Sequence, residues 1–193
     1  MTDLITTESP RARDVTAGQY ELIRLVAGAL HQSRYYTTIS NEHRAAYLMA
    51  RAYELGFPAT AAPDVIDDIQ GRLTLKPQAA LALVLKSGLL DDMQVVEGDD
   101  FCEVKFKRRG LPGWQGYRFT MTDAKRAELV KQGGAWEKWT KNMLYWRAVG
   151  FAIDRAFPDV TLGLKDSVQF GGEAPTVRVL DGGEVVEGEV SEP

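Results

Sequence analysis

The chain has 193 residues, 45% of them hydrophobic and 26% charged, with a formal net charge of −4 and one cysteine, Cys102. That length predicts one domain able to bury its own core. No apolar run nears the roughly 18 residues of a membrane span, residues 1–10 do not resemble a secretory signal, and a lone cysteine excludes an internal disulfide and suits a reducing cytoplasm.

Residues 1–17 read as a flexible lead. Over 18–33 the apolar residues Tyr20, Ile23, Val26, Ala27 and Leu30 recur at helical spacing. A second helix is predicted over 41–54, with Asn41 as its cap, Ala45, Leu48, Met49 and Ala52 on one face, and Gly56 as its stop. Ile66, Ile69, Leu73 and Leu75 flank Gln70-Gly71, which suits a tight turn between short strands. Pro77 fits the first turn of a buried helix that Gly88 ends.

Strands follow. Met93, Val95 and Val96 suggest one, then an acidic turn over 97–100. Phe101, Glu103, Lys105 and Lys107 alternate with Cys102, Val104 and Phe106, a two-residue period that separates a basic face from an apolar one. Residues 108–116 read as a loop and 117–121 as a strand. Thr122-Asp123 suits the cap of a helix over 124–131. The longest helix is expected over 136–156, with Trp139, Met143, Trp146, Gly150, Ile153 and Phe157 as its core-facing stripe. From Gly171 the chain is rich in Gly, Glu and Val and reads as an acidic, disordered tail, in which Val177-Arg178-Val179 could form a short strand. The domain reading is a lead over 1–17, a core over 18–168 and a tail over 169–193.

The net charge conceals an uneven distribution. Residues 103–147 hold 11 basic side chains against 4 acidic ones, whereas residues from 166 onward hold 7 acidic against 1 basic. The basic middle is a candidate track for phosphates, whose neutralisation releases condensed counterions. Lys105 and Lys107 on the basic strand, with Arg108 and Arg109 beyond it, suit phosphate contact or, equally, a solvated edge strand guarded by lysines. Trp114 and Tyr117 suit base stacking or core packing. Downstream, Lys138, Lys141 and Tyr145 share one helix face, and Arg147 suits a phosphate or an ion pair with Asp154.

Catalytic signatures are missing. There is no phosphate-cradling G-x-x-x-x-G-K-[ST] and no G-x-S-x-G. His31 and His43 are the only histidines, and neither His-x-x-x-His nor Cys-x-x-Cys occurs, so no zinc site is expected. Asp67-Asp68 read as solvated or capping acids, because adjacent strand residues point to opposite faces. No catalytic residue, metal or cofactor is expected.

Several stretches resemble, in order, the RecT family of phage single-strand DNA annealing proteins. They are Ala52-Tyr53-Glu54-Leu55-Gly56, Gly71-Arg72-Leu73-Thr74-Leu75-Lys76-Pro77-Gln78-Ala79, Phe119-Thr120-Met121-Thr122-Asp123-Ala124, Met143-Leu144-Tyr145-Trp146-Arg147-Ala148 and Phe157-Pro158-Asp159-Val160-Thr161-Leu162-Gly163. The chain departs from the family at Lys165-Asp166-Ser167-Val168-Gln169, where a glutamate-rich stretch is usual.

The resemblance implies an α+β fold, a small antiparallel sheet packed against a long helix, with additional N-terminal helices. It implies ATP-independent annealing of single-stranded DNA in a basic groove during recombination in a bacterial host's cytoplasm. It also implies an oligomer, a ring or helical filament, holding single-stranded and annealed duplex DNA, with a phage exonuclease or host single-strand-binding protein as further partners. The expected DNA contacts are Lys105, Lys107, Arg108, Arg109, Arg118, Lys138, Lys141 and Arg147 to phosphates, and Trp139 or Tyr145 for stacking. The competing expectations are a phage assembly or scaffold protein that oligomerises without DNA and, less favoured, a metal-dependent nuclease.

Overall fold

A computed structural model describes residues 14–34, 41–69 and 71–165. The N-terminal lead up to residue 13, Gln70 of the first hairpin turn, and the acidic tail with its Val177-Arg178-Val179 segment lie outside the described residues. The architecture is α+β, as expected: seven α-helices with antiparallel sheets of two and three strands among the described residues.

Helix α1 (Ala17–Ser33) starts in a capping box, in which the Thr16 hydroxyl accepts from the Gln19 N–H and the Gln19 side chain accepts from the Thr16 N–H. Its start therefore falls one residue earlier than expected. Helix α2 (Glu42–Glu54) is capped by Asn41, whose side chain accepts from the Arg44 N–H at 2.9 Å. The two helices pack antiparallel: Gln19 near the start of α1 donates to the Tyr53 hydroxyl at the end of α2, at 2.7 Å. Ile23 and Ala27 are buried between them, whereas Tyr20, which shares their helical spacing, is 44% exposed.

A 3₁₀ turn (Ala59–Ala61) and a short helix α3 (Ala62–Val65) lead into the hairpin of β1 (Ile66–Ile69) and β2 (Arg72–Leu75). Gly71, at φ 80°, closes its turn and donates to the Asp68 carboxylate at 3.1 Å. Asp68 also receives the Arg44 guanidinium, and Asp67 lies 3.6 Å from Lys76. This acidic pair therefore ties α2, the turn and the following segment together. Helix α4 (Pro77–Lys86) begins with proline in its first turn and packs on the long C-terminal helix.

The second sheet has the order β3 (Leu90–Glu97), β4 (Phe101–Arg108), β5 (Gln115–Thr120). Cys102, Val104 and Phe106 point inward and are almost fully buried, as the two-residue period predicts. β4 is the central strand, paired on both sides. The solvated-edge explanation of its lysines is therefore overturned.

Helix α5 (Met121–Arg126) begins three residues earlier than expected. Its cap is Thr120 with Asp123 in a reciprocal capping box, rather than Thr122. It also ends earlier, with Glu128 at φ 54°.

The expected helix over 136–156 is two helices, α6 (Ala135–Lys138) and α7 (Thr140–Ala156), broken at Trp139 with φ −133° and ψ 43°. Trp139 is 67% exposed, so it leaves the predicted core stripe. Farther along, Ala148 and Ala152, which lie outside the predicted stripe, are fully buried. The reason is that α7 lies between α4 and the inner face of β4 and β5, so both of its flanks are covered. Small side chains at Ala148, Gly150, Ala152 and Ala156 let those neighbours approach. The core closes on aromatic contacts: Phe106 edge-on to Phe157 at 5.5 Å, and Tyr117 stacked on Phe151 at 4.7 Å.

Candidate nucleic-acid interface

The face of the sheet turned away from α7 carries the first group of candidate residues. Glu103, Lys105 and Lys107 of β4 alternate with the buried positions, and the register places Val96, Gln94 and Asp92 of β3 opposite them. On the other side Glu103 faces Arg118 and Lys105 faces Gly116. Lys105 pairs with Glu103 at 2.8 Å and keeps 45% of its side chain exposed. A Cβ at Gly116 would lie 2.2 Å from the Val104 carbonyl and 2.8 Å from the Lys105 Cγ, so the lysine stem rests on a position only glycine can fill. Lys107 is exposed and makes no ion pair among the described residues. Arg118 is exposed, with its guanidinium 3.6 Å from the centre of the Phe101 ring.

The loop after β4 separates two neighbouring arginines. Arg109 points outward, 57% exposed, and meets Asp91 at 3.0 Å. Arg108 turns back under the sheet. Its guanidinium donates to both carboxylate oxygens of Asp159 and to the Ala156 carbonyl, each at 2.6 Å, and lies 5.2 Å from the Phe157 ring centre. The hydrogen bonds from Arg108 hold the Asp159 carboxyl below its usual range, and that carboxylate in turn raises the pKa of Arg108. Arg108 is thus a clamp between β4 and the end of α7, and the expectation of a phosphate contact there is corrected. Trp114 in the same loop is 40% exposed, whereas Tyr117 packs against Phe151.

The second group sits at the α6–α7 break. Trp139 stands out between Lys138 and Lys141, both exposed. Lys141 reaches Asp99 in the β3–β4 turn at 3.2 Å, which ties this break to the sheet's hairpin end. Tyr145 and Arg147 depart from expectation. Tyr145 is half-buried, edge-on to Trp146 at 4.9 Å, and burial followed by the nearness of Cys102 and Glu97 raises its pKa. Arg147 is 6% exposed, with its guanidinium 6.0 Å from the Trp136 ring centre, and is therefore withdrawn from any surface strand. Cys102 is buried, and burial with nearby Glu97 pushes its thiol up to about 11, which makes it a poor nucleophile.

No protein-family model and no curated protein matches this chain. The fold brings Lys105, Lys107 and Arg118 onto one open sheet face, sets Lys138, Trp139 and Lys141 together at the helix break, and leaves Arg109 at the loop. It does not bring Arg108, Tyr145 or Arg147 to that surface. The fold also returns acids that a count along 103–147 omits: Asp91 beside Arg109, Asp92 opposite Lys107, Asp99 beside Lys141. The surface is a mixed one, with Lys107 and Arg118 in no ion pair among the described residues. Among the described residues no three His, Cys, Asp or Glu side chains converge to hold a metal ion. The arrangement suits contact with phosphates and flat rings. Phe101, which sequence reading placed only within the strand pattern, joins the surface through its contact with Arg118.

Proposed function

We propose that this chain is an ATP-independent single-strand DNA annealing protein of the RecT type, working as an oligomer. The observation that carries the reading is the open outer face of the sheet, where Lys105, Lys107 and Arg118 lie on adjacent strands, with the half-buried Phe101 ring beneath Arg118. Cations at these positions would hold a strand by its phosphates, and its base edges would stay free for a complementary strand. Base pairing then supplies the driving force, so no covalent step, cofactor or catalytic residue is required. The ordered RecT-like stretches support the same reading. Two of them are structural in this chain: Phe157-Pro158-Asp159 closes on Arg108, and Thr120 with Asp123 caps α5. A ring or filament of copies, a recombination exonuclease or single-strand-binding protein as partner, and a bacterial cytoplasmic setting all belong to this proposal.

Fluorescence anisotropy with a labelled oligonucleotide across a salt series tests it. Binding should weaken with salt, with log affinity falling by about 0.7 per unit of log salt for each phosphate neutralised. Lys107→Glu should weaken all sequences alike, and more than Lys105→Glu does, because Lys105 is already shared with Glu103. No binding at low salt refutes the proposal.

A second reading is favoured by a different surface. Leu22 and Leu25 of α1 are 63% and 74% exposed, beside a groove of about 390 Å³ between α1 and α2. An assembly protein would use such a face to self-associate without DNA, and its oligomer would form without regard to added oligonucleotide.

A further inference from the structure

Phe101 opens β4 on the outer face, two residues before Glu103. Its ring seats against the backbone of the preceding turn: a Cβ at Gly98 would lie 2.3 Å from the Phe101 Cε1 and 2.6 Å from its Cδ1. The Gly98 N–H donates to the Phe101 carbonyl at 2.9 Å, so the same turn fixes the backbone beneath the ring. Arg118 of β5 then lies over the ring, 3.6 Å from its centre.

The usual partner of such an arginine would be the carboxylate opposite it, Glu103. Lys105 takes that carboxylate at 2.8 Å. Arg118 makes no ion pair among the described residues, and its guanidinium is held by a ring while the side chain stays exposed. A planar guanidinium fixed in this way presents a flat, weakly hydrated cation to solvent. Val96, 52% exposed, adds apolar surface on the same face, across Glu103 from Arg118. Flat cations and exposed apolar surface together suit the π-face of a nucleobase more than a phosphate, which needs only charge.

From this geometry we infer that Arg118 stacked on Phe101 forms a nucleobase-stacking platform at the hairpin end of the sheet, with Lys105 next to it on β4, and Lys107 farther along the strand, for the phosphates that follow. The inference rests on the single-strand binding proposed above and gives Arg118 a different task from a backbone contact. Stacking on a plane carries no sequence code, so the platform accepts any base.

Arg118→Lys keeps the charge and removes the plane. Two oligonucleotides separate the roles: one of ordinary bases carrying 2-aminopurine at a central position, and one of equal length made of abasic sites. With Arg118→Lys, affinity for the first should fall about fivefold or more, its 2-aminopurine signal change on binding should shrink, and affinity for the abasic strand should hold. Gly98→Ala, which displaces the ring while leaving Arg118 in the sequence, should reproduce the pattern in a variant whose melting curve shows it folded. If Arg118→Lys weakens both oligonucleotides equally or neither, Arg118 is a phosphate or surface cation and the platform is refuted while DNA binding stands. If the wild-type protein binds neither oligonucleotide, the DNA-binding proposal falls and the platform with it.

Discussion

Arg108→Ala tests the division between clamp and interface most sharply among single substitutions. The guanidinium makes one hydrogen bond to the Ala156 carbonyl at the end of α7 and two to Asp159, and its side chain is only 16% exposed. A charged donor on a part-buried carbonyl contributes about 1.5 kcal/mol. The Asp159 side chain is 55% exposed, so solvent screens its pairing to about 0.5 kcal/mol. Contact with the Phe157 ring adds about 0.5 kcal/mol. Losing all three should cost about 2–3 kcal/mol in urea denaturation, or about 5–10 °C in melting temperature for a chain of this size. Oligonucleotide affinity, measured well below the melting transition, should not change.

Asp159→Asn should cost less, and its cost should depend on pH. The Asp159 carboxyl is held low by Arg108, so the pair contributes stability above the unfolded carboxyl pKa of about 3.9 and loses it as pH falls through the lower folded value. The gap between wild type and Asp159→Asn should close in that acid range. A melting temperature for Arg108→Ala within about 1 °C of wild type, together with weakened DNA binding, would refute the clamp and restore Arg108 to the interface.

Three further outcomes follow from the same packing. Trp139→Ala should leave stability within about 0.5 kcal/mol of wild type, since the ring is 67% exposed, but should lower single-strand affinity by about 1–3 kcal/mol by anisotropy; a folded variant that binds normally would remove Trp139 from the interface. Gly116→Ala forces a Cβ onto the Val104 carbonyl, so its urea midpoint should drop by an amount equivalent to about 2 kcal/mol or more, and a wild-type midpoint would contradict the close crossing under Lys105. Cys102 should resist alkylation at pH 8 in the folded protein and react fully in guanidinium, because the thiol is buried and shifted up to about 11; rapid labelling of the native chain would contradict its placement.

Local chemistry was readable in the sequence wherever neighbours along the chain decide the outcome. Asn41 caps α2, Gly71 turns the first hairpin, Pro77 opens α4, and the alternation from Phe101 to Lys107 separates the two faces of β4. What stayed hidden depends on contacts between distant residues. Arg108 meets Asp159 from 51 positions away, and only the packing of α7 beneath the sheet brings them together. The acids of β3 blunt the basic stretch because antiparallel pairing sets Asp91 and Asp92 beside Arg109 and Lys107, which a charge count along the chain cannot see. The burial of Arg147 follows from cover on two flanks of α7, and helical periodicity detects only one apolar stripe. The break at Trp139 has no glycine or proline to mark it. There the Thr140 hydroxyl donates to the Trp136 carbonyl at 2.7 Å, a local alternative to the helical ladder. Arg118 and Phe101 meet diagonally across two strands, a relation that needs the register before it can be read.

The central claim concerns annealing, and the direct measurement is the rate at which two complementary labelled oligonucleotides pair, followed by energy transfer, in the absence of ATP and with metal chelated. The account predicts pairing faster than the spontaneous rate, falling with added salt and reduced by Lys107→Glu. Pairing at the spontaneous rate at every salt concentration, with or without that substitution, would contradict it.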